Sequence, residues 1–480
     1  MVMGDLATCC DVLVVGAGFG GYVAAIRAAQ LGKDVLLVDR GGERGLGGTC
    51  LNNGCIPSKA LIYAAGIAHG ARNAGEMGID AGALSVDMAK MQAWKQGVID
   101  KLRLGVEMLC KRHGVQIAQG EAFFKSSGSA GIRNEKGVGT VEFGHAIIAS
   151  GVTHMQHPKM PFDGSNVLNS AQALKLSEIP RELLVVGGGY IALEMGTLFA
   201  KLGSKVKIVH RSERILRGMD DEVADVVLKK LPALGIELML NSEVDGFEEG
   251  ADGRLAVSVR EKGREAGKVA ADKILVAIGN VATTAGLGLE NTQMQLDENG
   301  FVKVDEKMRT HDHKIFAVGD CVGAPMLAHK ASRQGKIAAE VIAGLESSFS
   351  NKVIPAVVFC EPEVASAGLG EEDAMTLGKE VVVGKFPFRA LGRALTMDSG
   401  EGFVKIVAEK NSGLVLGVHI VGPDAGELIS EAALAIEMGA VLEDLAFTIH
   451  PHPTLPEALN EAAEAALGKA IHIFQGELKK

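Results

Sequence analysis

Two stretches of the chain carry the same pattern, and no other feature constrains the fold as tightly. Residues 11–40 read as a Val/Leu strand (DVLVVG), a glycine-rich turn (GAGFGG), a long Ala-rich helix and a second strand (DVLLVD). Residues 182–211 repeat the plan as ELLVVG, GGGYIA, a helix reaching about Leu202, and KVKIVH. Each is a βαβ unit of the kind that opens a doubly wound sheet. Two copies predict an α/β chain with two nucleotide-binding domains. AIIASG (Ala146–Gly151) reads as the strand closing the first unit and KILVAIG (Lys273–Gly279) as the one closing the second. IFAVGDC (Ile315–Cys321) reads as a further strand with a Gly-Asp turn. From about Asn351 strand-like runs such as KFPFRAL and GFVKIV lead to the helical ELISEAALAIEMGA, an α+β pattern. The expected division is 1–150, 151–280, a central segment 281–350 and a C-terminal domain 351–480.

The turns themselves carry chemistry. Gly16, Gly18 and Gly21 stand in G-x-G-x-x-G spacing. The first permits the tight turn, the second lets the backbone approach a pyrophosphate, and the third lets helix and strand pack closely. Asp39 ends the next strand, where a carboxylate accepts hydrogen bonds from a ribose. The second turn has Gly187 and Gly189, but Ala192 in third place, and its following strand ends on His210 and Arg211. A basic pair at that place can hold a 2′-phosphate, whereas an acid there selects NAD; the bland alternative is a surface Arg211 that touches no ligand.

Composition excludes several classes. One Trp and three Tyr leave little for stacking on bases, and the net charge of −10 argues against nucleic acid or an anionic membrane surface. The N-terminal MVMGDLATCC lacks the basic start of a signal peptide, and no apolar run of about 18 residues suggests a membrane span. A cytoplasmic location is expected. No ligand set for a metal is expected. Of seven cysteines, Cys9, Cys10, Cys110, Cys321 and Cys360 are scattered and read as reduced and structural.

Cys50 and Cys55 differ. They lie in GGTCLNNGCIPSKAL, Gly47–Leu61. A five-residue step on an α-helix separates side chains by about 140°. A bond between them therefore needs a distorted helix start, for which Gly54 and Pro57 are the available sites. A short structural staple and a metal site stay open as alternatives, although disulfides in cytoplasmic chains are usually catalytic.

GGTCLNNGCIPSK resembles the redox-active disulfide segment of the pyridine nucleotide–disulfide oxidoreductases. Its Cys-Ile-Pro-Ser-Lys is similar to that of the dihydrolipoyl dehydrogenases within the family, where glutathione reductases more usually read Cys-Val-Pro-Lys-Lys. GGGYIALEMG, IFAVGDC with PMLAHKA, and TIHPHPTLPEAL resemble further family segments in the same order, so the likeness spans nearly the whole chain. The resemblance implies an FAD domain (1–150), an NAD(P) domain (151–280), a central segment (281–350) returning to the FAD domain, and a dimerisation domain (351–480). It implies Cys50 as the cysteine that exchanges with substrate and Cys55 as the one against the flavin, Lys59 with its ion-pair partner Glu194 beside it, and His452 as base with Glu457 orienting it. The implied flavin contacts are Gly16, Gly18, Gly21, Asp39, Arg40, Gly48, Thr49, Lys59, Ala122, Ser150, Gly151, Asp320, Met326, Leu327, Ala328 and His329. The implied nicotinamide contacts are Gly187, Gly189, Tyr190, Ile191, Ala192, Glu194, His210, Arg211, Val244 and Gly279, with Tyr190 as a gate.

The implied activity is oxidation of protein-bound dihydrolipoamide through the disulfide and FAD, with hydride passing to NAD and with NADP as the alternative. The implied partners are a second copy of the chain and a lipoyl domain of an acyltransferase or glycine-cleavage carrier. Rivals are a glutathione-type or mercuric reductase and a non-catalytic flavoprotein subunit. Ser58-Lys59 stands against the first, the absence of a cysteine pair from the terminal GELKK against the second, and the retained Cys50, Cys55, His452 and Glu457 against the third. The chain departs from the family's usual residues at Asn53, Ser150, Ala192, His210 and Asn280; the last three fall in the nicotinamide half.

Overall fold

Strands that are covered on both faces are apolar, as DVLVV, VLLVD and ELLVV of the predicted units largely are, whereas KVKIV of the second unit keeps Lys205 and Lys207 towards solvent. The computed structural model describes residues 8–251, 253–262, 264 and 267–475; the first seven residues, part of the stretch read for a leader, and the GELKK terminus lie outside the described residues. β1 (Thr8–Val15) is flanked in parallel by β2 (Val35–Asp39) and, across the chain, by β6 (Gly137–Ile148), with Val12 facing Val35 on one side and His145 on the other. Val12, Leu13 and Val14 are fully buried. α1 (Phe19–Gln30) makes the crossover from β1 to β2. α2 (Gly48–Asn53), α3 (Cys55–Asn73) and α4 (Met88–Arg112) precede β3 (Gln116–Gln119), and β4 (Glu121–Ser126) and β5 (Ser129–Asn134) complete a sheet in the order β3-β2-β1-β6-β5-β4.

β7 (Val152–His154) leads out of this sheet. The second unit follows, with β8 (Val167–Leu168), α5 (Ser170–Ala173), β9 (Glu182–Val186), α6 (Tyr190–Leu202), β10 (Lys205–Val209), α7 (Asp221–Lys230) and β11 (Ile236–Met239). An antiparallel meander, β12 (Ser242–Glu249), β13 (Leu255–Glu261) and β14 (Gly267–Ala271), leads to β15 (Lys273–Val276). The parallel sheet runs β11-β10-β9-β15-β8. β16 (Asn280–Ala282) then pairs antiparallel with β7, Asn280 opposite His154, so the outgoing and returning chains form one two-stranded neck. β17 (Ile315–Ala317) joins the first sheet beside β6, and α8 (Ala328–Ile342) packs on α1. IFAVGDC is thus a three-residue strand followed by a 3-10 turn, Gly319–Val322.

The C-terminal part is α+β. β18 (Ala356–Val358), β19 (Glu363–Gly368), β20 (Val381–Pro387), β21 (Phe403–Glu409) and β22 (Val415–Gly422) form one antiparallel sheet in the order β18-β19-β22-β21-β20. Short α9 (Glu371–Thr376) and α10 (Gly392–Thr396) lie in its connections, and α11 (Ala425–Met438), α12 (Leu442–Phe447) and α13 (Glu457–Ala466) follow. α11 and α13 cover the sheet, with Leu459 of α13 packing in the same core as Phe386, Ile406 and Val418 of the strands. Phe447, the last residue of α12, and Ile449 just beyond it are 85% and 95% exposed in the single chain. Among the described residues no helix is long and apolar enough to cross a membrane. No group of three or more His, Cys, Asp or Glu among them can hold a metal ion.

Candidate active site

Gly54 decides where the helix breaks. Its φ and ψ of −134° and −106° separate α2 from α3, while Pro57 sits without disruption in the first turn of α3. The break brings the Cys50 and Cys55 Cα atoms to 4.6 Å, and the two are joined by a disulfide. Of the two distortion sites considered, only Gly54 is used. The other five cysteines are free, and four are buried; Cys9 is exposed, so its reading as a structural cysteine is corrected.

The disulfide lines a cavity of about 570 Å³ that also receives Gly16, Gly18, Asp39, Gly48, Thr49, Lys59, Ser150, Gly151, Tyr190, Ile191, Glu194, Asp320, Met326 and Ala328. The glycines are there for clearance. Gly16 has φ +99°, and a Cβ on it would meet the Ala149 carbonyl oxygen at 2.4 Å. A Cβ on Gly18 would meet nothing within 4 Å, so that backbone is open to the cavity. Gly18 caps α1 without any side-chain hydrogen bond, which leaves the helix's first amides for a ligand. Asp39 accepts hydrogen bonds from the Ala17 amide at 2.9 Å and the Gly41 amide at 2.8 Å. The Ser150 hydroxyl is buried beside the Cys321 thiol and has no hydrogen-bond partner within bonding geometry among the described residues. Burial pushes the Asp320 carboxyl above its ordinary range, against the pull of the nearby Lys330 ammonium. Lys330, itself buried, donates to the Gly323 carbonyl at 2.6 Å. An open glycine backbone, an uncapped helix start and an unpaired buried hydroxyl suit a dinucleotide with a polar ring system.

At the cavity wall Lys59 Nζ meets both Glu194 oxygens, at 2.9 and 2.8 Å. α3 supplies the lysine and α6 the carboxylate, so the pair bridges the two sheet domains.

The second turn repeats the clearance. Gly187 has φ +136°, and Gly189 caps α6 with no side-chain bond. His210 lies over this turn: a Cβ on Gly188 would meet its ring at 2.5 Å. Its Nε2 pairs with the Arg214 carbonyl at 3.0 Å, and burial pushes its imidazole below the ordinary value. The Arg214 guanidinium binds Asp221 at 2.7 Å, and Arg211 is exposed.

Several expected contacts are not drawn into the cavity. Gly187, Gly189, Gly279, His210 and Arg211 lie outside its lining, as does Leu327. Gly21 and Ala192 serve helix packing instead; Ala192 is fully buried, and a Cβ on Gly21 would meet the Gly16 oxygen at 1.8 Å. Val244 packs in the core between meander and sheet, and Ala122 in the core of the first domain. The exposed Arg40 turns to Glu121 at 3.1 Å, and His329 Nε2 pairs with the Pro355 carbonyl at 2.7 Å.

Other lining residues were not foreseen. His154 reaches the cavity through the neck, where its partner in register is Asn280, and burial pushes its imidazole down. Lys175 also lines it. Only the pairing of two distant short strands places His154 there, and no local motif marks either residue.

His452 and Glu457 stand apart from this cavity. His452 Nδ1 pairs with Glu457 Oε1 at 2.7 Å, and Glu457 Oε2 accepts the Thr454 amide at 2.7 Å. Burial would raise the Glu457 carboxyl, but the Thr454 amide and His452 outweigh it and hold it below the usual range. The His452 side chain is 77% exposed. Its neighbour His450 is spent inside the chain, paired with Glu431 at 2.9 Å and with its own side chain buried.

The family model described as pyridine nucleotide-disulphide oxidoreductase matches residues 10–335, and the model of that family's dimerisation domain matches residues 354–463. The chain is 50% identical over 476 residues to a dihydrolipoyl dehydrogenase of Haloferax volcanii, covering 98% of this chain and 99% of that one. It is 46% identical over 474 residues to the dihydrolipoyl dehydrogenase of Geobacillus stearothermophilus, covering 99% and 100%. Among solved structures, LpdA from Mycobacterium tuberculosis matches with a TM-score of 0.87 at 27% identity, over 95% of this chain and 99% of that one. The flavoprotein disulfide reductase RclA from Escherichia coli matches with 0.84 at 25% identity, over the same shares.

Proposed function

The chain belongs to the pyridine nucleotide-disulphide oxidoreductase family, and we propose that it is the member that oxidises protein-bound dihydrolipoamide to lipoamide, with FAD and NAD, as a cytoplasmic homodimer. The observation that carries this reading is the Cys50–Cys55 disulfide at the wall of a cavity whose glycine backbone is open to a dinucleotide. Gly16, Gly18, Gly48, Asp39, Ser150 and Asp320 would hold FAD. Bound there, FAD supplies a two-electron carrier between the disulfide and the nicotinamide.

The chain's own residues account for the thiol chemistry. An ionised Glu457 accepts the hydrogen bond of the His452 Nδ1–H and so keeps the proton on that nitrogen, which leaves Nε2 as the acceptor for a substrate thiol proton. The thiolate so formed attacks Cys50 Sγ. A new S–S bond forms, the Cys50–Cys55 bond breaks, and Cys55 leaves as thiolate. The substrate's second thiol then attacks its own sulfur in the mixed disulfide, closing the lipoyl ring and returning Cys50 as a thiol. The substrate loses two electrons and two protons. The chain's disulfide gains both electrons, one proton goes to Cys50 and the other stays on His452. Lys59, one helical turn after Cys55 on α3, puts a cation on the face that carries the Cys55 thiolate.

His452 does not line the cavity of its own chain, and it sits near the exposed Phe447 and Ile449 on the part that matches the dimerisation domain. In this reading the His452 of one subunit serves the disulfide of its partner, and a lipoyl domain brings the substrate to that junction. His452→Gln should lower dihydrolipoamide oxidation about 10²–10⁴-fold while FAD stays bound. Mixing it with Cys50→Ser subunits should restore part of the activity in heterodimers. Near-normal turnover in His452→Gln removes it from the mechanism, and heterodimers that form without rescue place the site within one chain.

A further inference from the structure

The Lys59–Glu194 pair has a third member, and it comes from the C-terminal domain. Phe359 follows β18. Its amide donates to Glu194 Oε1 at 3.0 Å, and its ring lies under Lys59 Nζ, 4.5 Å from the ammonium to the ring centroid. One residue thus touches both ends of the ion pair, the carboxylate by its backbone and the cation by its π face. Glu194 is almost fully buried, whereas the Lys59 side chain is 31% exposed. A carboxylate held by an amide needs no further anchor. A lysine ammonium on a flexible four-carbon stem does, because a free rotor in a wide cavity has other directions to point. A ring face within about 6 Å supplies a directional attraction for a cation.

The ring has a fixed seat of its own. A Cβ on Gly426 in α11 would lie 3.6 Å from the Phe359 ring edge, an ordinary contact distance, so the start of α11 runs beside the ring. The Gly426 amide donates to Glu363 Oε2 at 3.3 Å, and the next residue after Phe359, Cys360, is buried. The start of α11, the ring and the ion pair are therefore one contact chain running from the C-terminal domain to the residue one turn after Cys55.

We propose that Phe359 is a positioning residue for Lys59, through which the C-terminal domain of the same chain fixes the cation that faces Cys55. This rests on the reading of Lys59 given above. The consequence lies on the disulfide: a cation held in place stabilises the Cys55 thiolate and so favours reduction of Cys50–Cys55.

The test is the equilibrium between the holoenzyme's disulfide and buffers of reduced and oxidised dithiothreitol, quenched with acid, alkylated and read by mass as the Cys50–Cys55 peptide. It needs neither turnover nor the identity of the natural thiol. Phe359→Leu and Phe359→Met keep an apolar side chain and the amide but remove the ring. Each should need about a three- to thirtyfold higher ratio of reduced to oxidised dithiothreitol for half-reduction, the range of a partly desolvated cation–π contact. Phe359→Tyr should return the ratio to within about twofold of wild type. Lys59→Met should shift the ratio at least as far as Phe359→Leu, and adding Phe359→Leu to it should change nothing more. A wild-type ratio in both ring-less variants overturns the proposal while the Lys59 reading stands. A Phe359→Leu shift that adds in full to that of Lys59→Met also overturns it, since the ring would then act by packing alone. A wild-type ratio in Lys59→Met overturns the Lys59 reading itself.

Discussion

The two glycine-rich turns are built alike and finished differently. Gly18 and Gly189 cap their helices at nearly the same backbone angles, with ψ −177° in both, and neither helix has a side-chain cap. Each turn joins a parallel pair, β1 to β2 and β9 to β10. The difference begins at the third position, where the first turn has no room for a Cβ and the second holds Ala192. It continues at the end of the second strand. Asp39 gathers two amides around the first turn, whereas His210 lies on the second turn as a half-buried ring. Strand, turn and helix start are what the βαβ geometry demands, and they are common to both. The residues that set clearance and charge are free to vary, and they tell the two sites apart.

The sharpest way to break that comparison is to exchange the third positions. Gly21→Ala puts a methyl 1.8 Å from the Gly16 oxygen, so the helix must move off the strand. It should lower stability by about 2–4 kcal/mol and strip FAD from the protein. Ala192→Gly removes a methyl from a buried helix start and should cost about 1 kcal/mol or less, with NAD binding retained. Thermal melts and flavin content after gel filtration measure both. Equal losses would mean that the third glycine is not what separates the two turns.

A smaller contrast lies at the strand ends. Asp39→Ala leaves the Ala17 and Gly41 amides without their acceptor. An unpaired amide costs about 1–3 kcal/mol, so FAD affinity should fall about 10- to 100-fold, read by flavin fluorescence on reconstitution. His210→Ala removes a ring that makes one hydrogen bond to a carbonyl at a half-exposed loop, and FAD affinity should not change. A loss of FAD in His210→Ala would show that the turns are coupled rather than independent.

These contrasts also mark what the sequence alone could reveal. Periodicity and glycine spacing made both βαβ units legible, because a doubly wound sheet writes its pattern into contiguous residues. The disulfide segment was legible for the same reason, and of the two available sites for the distortion Gly54 is the one that breaks the helix. His154 and Phe359 were not legible. One reaches its place through the pairing of two three-residue strands and the other through a contact between domains distant in sequence. Val244 is the opposite case: a position carried over by resemblance has its side chain in the core between meander and sheet, so only its backbone is left to meet a ligand. His210 and Arg211 read as a basic pair in sequence, but the loop spends the histidine on its own backbone.

The smallest effect concerns that histidine and the choice of nicotinamide. A carboxylate at the end of the second strand would bind the ribose 2′-hydroxyl and repel a 2′-phosphate, and here none stands. Nor is a phosphate clamp assembled. His210 is neutral in its half-buried seat, Arg214 is taken by Asp221, and the exposed Arg211 is a surface charge of small weight. The wild type should therefore prefer NAD, but with a kcat/KM ratio over NADP below about 10³, or some 4 kcal/mol. His210→Glu restores the repelling charge and should raise that ratio about tenfold by depressing NADP use. Acid should do the reverse. Burial lowers the His210 pKa, so the ring stays neutral at neutral pH and takes its proton only below the ordinary imidazole value of about 6.5. Once charged, it would add a cation at the strand end where a 2′-phosphate would lie, and NADP use relative to NAD should climb as pH falls through that region. In His210→Gln, which cannot titrate, the relative climb should vanish. A wild-type ratio above about 10³ that is flat with pH would mean that another group repels the 2′-phosphate and that His210 plays no part in the choice.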